Sequence, residues 1–569
     1  MMRSTEPGAR VALEFGRAMQ ALHARTGGDA ACAAIVGRLA THAWRAADAG
    51  HVCVDVADAA EREALARSPV VGPSGDPRPL VLDCGALYLH RLWRAETALA
   101  QSVRALDVAA PLPGCDDPAR VVAAVFGHAD AGDPQQRAVA CALQRRLTVL
   151  SGGPGTGKTT TLARLVVAFA RAAPQARIAY AAPTGKAAAR LAQSLGAQLS
   201  ALDPSGALRA RLPAAGQTVH RLLGARADGH AGAPMPLDED LVIVDEASML
   251  DIELASRLLE SIGPTARLVL AGDRDQLASV EAGAVFADLC AAPLDGVVVL
   301  ERNYRQQDAP DIAALAAAIR ARADGARADG ARGAAAAANA SAAAAAGAPI
   351  DWPPTIALAA PDASAIVDEA LHAWRDALDA VAAGAGAQQV LAAYDRHRVL
   401  AAMREGPLGV DSLNAAIATR VRGRALGPGN PGWYAGRLAM VTKNEPGLGL
   451  FNGDVGVCLP HAGGDACDND LVVAFDGPAG LRLFPVLQMP ACQDAWALTV
   501  HKSQGSEFES VALVPAPAGH PLATRELVYT GVTRARRRLS VWGSREAVEQ
   551  AALRPTQRHG RLAERLAGA

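Results

Sequence analysis

The spacing of apolar positions changes character along the chain. From Val11 to roughly Leu106 it follows alanine-rich amphipathic helices such as "ARVALEFGRAMQALHA", with no recognisable chemistry among them. This predicts a helical docking or support domain over residues 1–115. Proline and glycine then cluster at "APLPGCDDPAR", a boundary signal. From Leu147 short apolar runs alternate with helical segments: "LTVLSG", "RIAYAAP", "LVIVDEAS", "RLVLAGD" and "VVVLERN". Such alternation predicts a parallel sheet with crossover helices, here over 116–300. A second set, "RHRVLAAM", "SVALVPAP" and "RLSVWGS", predicts a further α/β domain over 301–569.

Two segments interrupt this scheme. "GRLAMVTKNEPGLGLFNGDVGVCLP", followed by "LVVAFD" and "LRLFPVL", carries a hairpin-type turn signal at "FNGDV" and predicts a small SH3-like β insertion over 436–490. The repeat "ARADGARADGARGAAAAANASAAAAAGAP", 321–349, offers too few large apolar side chains to bury and reads as a largely mobile surface insert.

At 569 residues the chain is too long for one core, in line with about 150 residues per domain. Its net charge of -2 means that any grip on nucleic acid must come from a local patch. Nine scattered cysteines without a C-x-x-C pair fit reduced thiols in a cytoplasm and argue against a metal cluster. The start of the chain lacks a long apolar h-region, and no stretch approaches the roughly 18 apolar residues of a membrane span. The expectation is a soluble, cytoplasmic protein.

Chemistry concentrates at a few places. Gly152, Gly153, Pro154, Gly155, Thr156, Gly157, Lys158 and Thr159 match G-x-x-x-x-G-K-[ST] between an apolar strand and an amphipathic helix that continues through Thr160. Glycines let backbone N–H groups close around phosphate oxygens, Lys158 neutralises their charge, and the Thr159 hydroxyl is suited to Mg²⁺. The strand "LVIV" ends in Asp245 and Glu246, placed to hold the magnesium shell and to orient or deprotonate an attacking water. Gln276 in "AGDRDQLASV" has the reach to sense a γ-phosphate, and Gln136 in "DPQQRAV" carries an amide able to pair with an adenine edge or to sit exposed at a helix start. Arg305 and Arg534 are candidates to reach the γ-phosphate across an interdomain cleft, whereas Arg536, Arg537 and Arg538 suit a surface or a DNA backbone. The polar stretch "WALTVHKSQGSEF" is either a solvated loop or a surface that grips something polar.

Taken in order, "GGPGTGKTT", "APTGKAAARL", "TVHRLLG", "VIVDEASM", "GDRDQLASVEAGAV", "NYRQ", "WALTVHKSQGSEF" and "TRELVYTGVTRAR" resemble superfamily 1 helicases, and among them the RecD family, the alpha chains of exodeoxyribonuclease V. The resemblance runs from about Asp133 to the C-terminus and includes "REGPLGVDSLN" and "GLGLFNGDVG". It implies two RecA-like P-loop domains, with ATP and Mg²⁺ as cofactors. Gln136 and Tyr304 would contact adenine, Gly152 to Thr160 the phosphates, and Thr159 with Asp245 the metal. Lys158, Asp245, Glu246, Gln276, Arg305 and Arg534 would be catalytic. Pro183, Thr184, Thr218 and His220 would line a single-stranded DNA track in the first motor domain, and His501, Lys502, Ser503, Gln504 and Glu507 its continuation in the second.

The resemblance further implies a 5′→3′ motor on single-stranded DNA and duplex ends. It would work beside RecB-like helicase-nuclease and RecC-like scaffold subunits in double-strand break repair by homologous recombination and in DNA end degradation. The stretch 224–236 is short where relatives carry a strand-separating element. Two other readings stand beside this one: a stand-alone 5′→3′ repair helicase, and a regulatory subunit with a vestigial ATPase. No carboxylate and histidine cluster points to a nuclease centre in this chain.

Overall fold

The computed structural model describes residues 7–130, 132–203, 206, 208–209, 212–213, 216–224, 235–304, 309–328, 349–424, 429–430, 432–445, 447–461, 471–477 and 480–568. Most of the short stretch 224–236 and of the alanine-rich repeat lies outside them.

The chain forms two RecA-like α/β domains. In the first, six parallel strands run in the order Val297–Leu300, Leu147–Gly152, Arg267–Gly272, Leu241–Val244, Ile178–Ala182, Gln217–Thr218. The inner strands are buried on both faces, so they read as apolar runs without polar alternation. Alternate side chains still serve different layers. Val149, Val242, Val244, Leu268 and Leu270 enter a core shared with the N-terminal segment. Leu150, Leu241, Ile243 and Val269 pack under the crossover helices on the opposite face.

The second domain has five parallel strands in the order Ala357–Ala359, Ala535–Trp542, Phe508–Val514, His397–Ala401, Ala497–Thr499. Trp374, Tyr394 and Trp496 fill its core, with the two indole rings 5.3 Å apart. Inserted before Ala497–Thr499 is a five-stranded antiparallel sheet formed by Leu438–Val441, Val455–Pro460, Leu471–Gly477, Gly480–Pro485 and Cys492–Asp494. Gly453, at φ +95, supplies the left-handed residue of the turn entering its second strand.

The N-terminal segment departs from the all-helical expectation. Its helices Pro7–Arg25, Ala30–Asp48 and His90–Leu106 accompany a four-stranded sheet of Cys53–Asp55, Ala86–Leu89, Leu80–Asp83 and Val71–Gly72. Strands of two to four residues leave no measurable period, and the turn between two of them rests on Cys84 and Gly85, both at positive φ. The C-terminal end also leaves the second domain. Helix Leu562–Ala567 packs on His90–Leu106, burying Leu562 and Leu566 in the N-terminal core. Arg565 there donates to Asp83 at 2.7 Å and to the fully buried Glu96 at 3.1 Å.

Candidate active site and nucleic-acid interface

The buried strand Leu147–Gly152 delivers the phosphate loop to the C-terminal edge of the first sheet, and helix Lys158–Ala172 starts directly after it. Gly155 and Gly157 adopt φ +80 and +84, conformations that carry no Cβ penalty only in glycine. The Thr156 hydroxyl donates to the Gly153 carbonyl at 2.8 Å, closing the loop on itself. Lys158 lays its ammonium on the carbonyls of Gly152 and Gly153, the latter at 3.1 Å. Thr159 and Thr160 line the cleft with it.

Two strands away, Leu241–Val244 ends in the carboxylate pair. Glu246 has φ 52, one of two positive values at non-glycine residues among those described. Such strain persists only where the surroundings enforce it and gathers at functional sites. Its N–H donates to Asp245 Oδ1 at 2.9 Å. Burial and the neighbouring Glu246 raise the proton affinity of Asp245, with Lys158 opposing.

These groups line a cleft of about 590 Å³ between the two domains. From the second domain, Arg534 reaches it at the end of helix Arg525–Thr533, 2% exposed and held by the carbonyls of Ser506 at 3.0 Å and Thr530 at 3.3 Å. Gln276 lines it from the first domain, its Nε2 donating to Asp273 at 3.1 Å. Tyr304 stands half-exposed at the edge with the Arg302 guanidinium 5.1 Å from its ring, and its N–H donates to Gly155 at 2.9 Å. Arg305 lies outside the described residues.

Of the adjacent pair Gln135 and Gln136, Gln135 lines the cleft; its Oε1 accepts from Arg164 at 3.1 Å and its amide adjoins Gly157. Gln136 is buried behind it, bonded to the Asp130 N–H at 2.9 Å. Arg190 and Arg536 also line the cleft, and the sequence reading missed both as cleft residues. Arg190, on helix Gly185–Leu202 of the first domain, donates across the gap to the Gly505 carbonyl at 2.9 Å and to Glu507 at 2.7 Å. Arg536 meets the same carboxylate at 3.0 Å. Glu507, expected on the DNA track, therefore stands in the nucleotide cleft. The lining carries five cations against three carboxylates, a balance that suits a polyanion.

The expected track residues divide. Pro183 and Thr184 follow one strand, Thr218 ends its neighbour, and the pairing of Ala182 with Thr218 sets them side by side at the sheet edge with exposed His220. Thr184 and Thr218 spend their hydroxyls as N-caps, accepting from Ala187 at 3.2 Å and Arg221 at 3.1 Å. In the second domain His501 is partly exposed and Lys502 exposed. Burial and the nearby Arg404 guanidinium lower the proton affinity of Lys502. Ser503 and Gln504, expected beside them, are buried instead: Ser503 donates to the Val500 carbonyl at 2.7 Å, and Gln504 to the Leu277 carbonyl of the first domain at 2.9 Å.

Two RecA-like domains with a phosphate loop on one and a buried arginine facing it from the other define a P-loop motor of the superfamily 1 type. A family model described as AAA domain matches residues 131–336, and one described as UvrD-like helicase C-terminal domain matches 494–542. The RecBCD enzyme subunit RecD of Mycolicibacterium smegmatis is 38% identical over 556 residues, 91% of this chain and 92% of that protein. That of Mycobacterium tuberculosis is 37% identical over 550 residues, 92% and 90%. The chain belongs to the RecD family. It is also 33% identical over 511 residues to the ATP-dependent RecD2 DNA helicase of Deinococcus radiodurans, covering 85% of this chain and 59% of that one.

Proposed function

We infer that this chain is the ATP-dependent helicase subunit of a RecBCD-type helicase-nuclease, moving 5′→3′ on single-stranded DNA. It would act on duplex ends beside RecB-like and RecC-like partners, in recombinational repair and DNA end degradation. The observation that carries the reading is the interdomain cleft, where Lys158 and Arg534 come from different domains onto one lining. A nucleotide bridging them binds the closed arrangement better than the open one, so binding and hydrolysis alternate the two. Each alternation moves His501 and Lys502 relative to Thr184, Thr218 and His220, the groups assigned to the DNA backbone.

Thr159 and Asp245 are hard oxygen donors on one cleft, and the half-buried Asp245 lies under like-charge pressure from Glu246 that a cation relieves; the set fits Mg²⁺. Bound there with the phosphates, the metal supplies charge neutralisation. Lys158, Arg190 and Arg534 hold the phosphates, Glu246 orients the water and accepts its proton, and Gln135 with Tyr304 holds the base. Among the described residues no helix is long and apolar enough to cross a membrane.

ATP turnover with and without single-stranded DNA, in wild-type and Lys158→Gln protein, tests this reading. DNA-stimulated turnover lost in the variant is expected; absence of turnover in a complex reconstituted with its partners would favour the regulatory-subunit reading. The match to a RecD2 helicase is compatible with the stand-alone alternative, which fails if the chain cosediments with RecB-like and RecC-like subunits.

A further inference from the structure

The loop Asp273–Leu277 follows the buried strand Arg267–Gly272 and carries Gln276 to the wall of the cleft. Three side chains of the second domain hold it. The Tyr529 hydroxyl donates to Asp273 Oδ2 at 3.1 Å, Thr530 Oγ1 accepts from the Leu277 N–H at 3.0 Å, and Gln504 Nε2 donates to the Leu277 carbonyl at 2.9 Å. All three side chains are buried, so these bonds do not compete with water. Tyr529 also rests on the phosphate loop: a Cβ placed on Gly153 would come within 2.9 Å of its oxygen.

Asp273 Oδ2 receives a second donor, Gln276 Nε2, at 3.1 Å. An ionised carboxylate only accepts, so it draws the amide nitrogen of Gln276 towards itself and turns Oε1 the other way. That Oε1 is buried without a hydrogen-bond partner, an uncommitted acceptor on a residue of the cleft wall. Asp273 thus decides which atom of Gln276 is left for the γ-phosphate or its attacking water. Tyr529, from the other domain, decides how Asp273 is held. Burial first, then Asp273 itself, keeps the phenol protonated and therefore a donor.

The geometry points to Tyr529 as a positioning residue for hydrolysis, fixing the orientation of Gln276 through Asp273 only when the second domain is seated on the first. Tyr529 does not itself contact the reacting atoms. The inference rests on the nucleotide-motor reading above and gives it a route by which domain closure reaches the γ-phosphate sensor.

The test is single-stranded-DNA-stimulated ATP turnover of the full chain as wild type, Tyr529→Phe, Gln276→Ala, the double variant and Lys158→Gln. Tyr529→Phe is expected to lower kcat about tenfold with KM for ATP within about twofold. Added to Gln276→Ala, it should cost less than about twofold more, because its effect runs through Gln276. Asp273→Asn, whose amide both donates and accepts, should reproduce the kcat loss and serves if the phenylalanine variant misfolds. Wild-type kcat in Tyr529→Phe, or an undiminished tenfold loss on top of Gln276→Ala, overturns the inference while Lys158-dependent turnover leaves the motor reading standing. A wild-type chain with no Lys158-dependent turnover, alone and in a complex reconstituted with its partners, removes both.

Discussion

Two adjacent glutamines illustrate what one position on a helix turn decides. Gln135 and Gln136 differ by about 100° around their helix, so only one faces the phosphate loop. No local rule in "DPQQRAV" separates them: the sequence points to Gln136, whereas Gln135 is the one that lines the cleft. The phosphate loop was legible because its glycines, lysine and threonine act through near neighbours in the chain, whereas Arg190 and Glu507 meet only once two domains have folded and docked. Gln135→Ala is expected to raise KM for ATP about tenfold with kcat held, as loss of uniform binding does. Gln136→Ala should leave KM within about twofold and cost about 1 kcal/mol of stability, through loss of the hydrogen bond it accepts from the Asp130 N–H. Steady-state kinetics and urea melts on both variants separate the two.

Among the elements, both parallel sheets could be read from the sequence because buried parallel strands are unbroken apolar runs flanked by helical periods. The N-terminal sheet could not, its strands being too short to show alternation, and nothing in "RHGRLAERLAGA" announces that this helix returns to the first domain's side of the molecule. Arg565 holds that return by pairing with Glu96, which is 0% exposed. Arg565→Ala leaves the carboxylate buried without its cation and should destabilise the folded chain by about 3 kcal/mol, seen as a lower Tm in thermal unfolding. In the second sheet, burial lowers the pKa of His397 to about 3, with Arg398 and Arg538 adding to the effect. Above its unfolded pKa near 6.5 the neutral ring costs nothing; as pH falls below that value the unfolded chain takes up a proton the folded one refuses. Stability should therefore drop by roughly 1.4 kcal/mol per pH unit from pH 6.5 towards pH 3 on this account alone. His397→Gln should flatten the dependence of Tm on pH between 6.5 and 5, and an unchanged slope would remove this residue as its source.

Taken together, the two domains meet beside the phosphate loop largely through polar side chains, with Leu277 of the first packed into the core of the second. Arg190 to Glu507 and Gly505, Gln504 to Leu277, and Tyr529 to Asp273 all cross the gap beside the phosphate loop. A contact set of this kind releases and re-forms more readily than a dry apolar one, as a motor that opens in every cycle requires. Arg190→Ala should weaken the closed form and raise KM for ATP about fivefold, with Arg190→Lys recovering part of the loss. Unwinding of matched duplexes carrying a 5′ or a 3′ single-stranded tail, by the purified chain and by Lys158→Gln, tests most directly whether this cleft drives movement along DNA. ATP-dependent separation of the 5′-tailed duplex alone, abolished by the substitution, is the predicted result. Unwinding that survives in Lys158→Gln, or that prefers the 3′ tail, would contradict it.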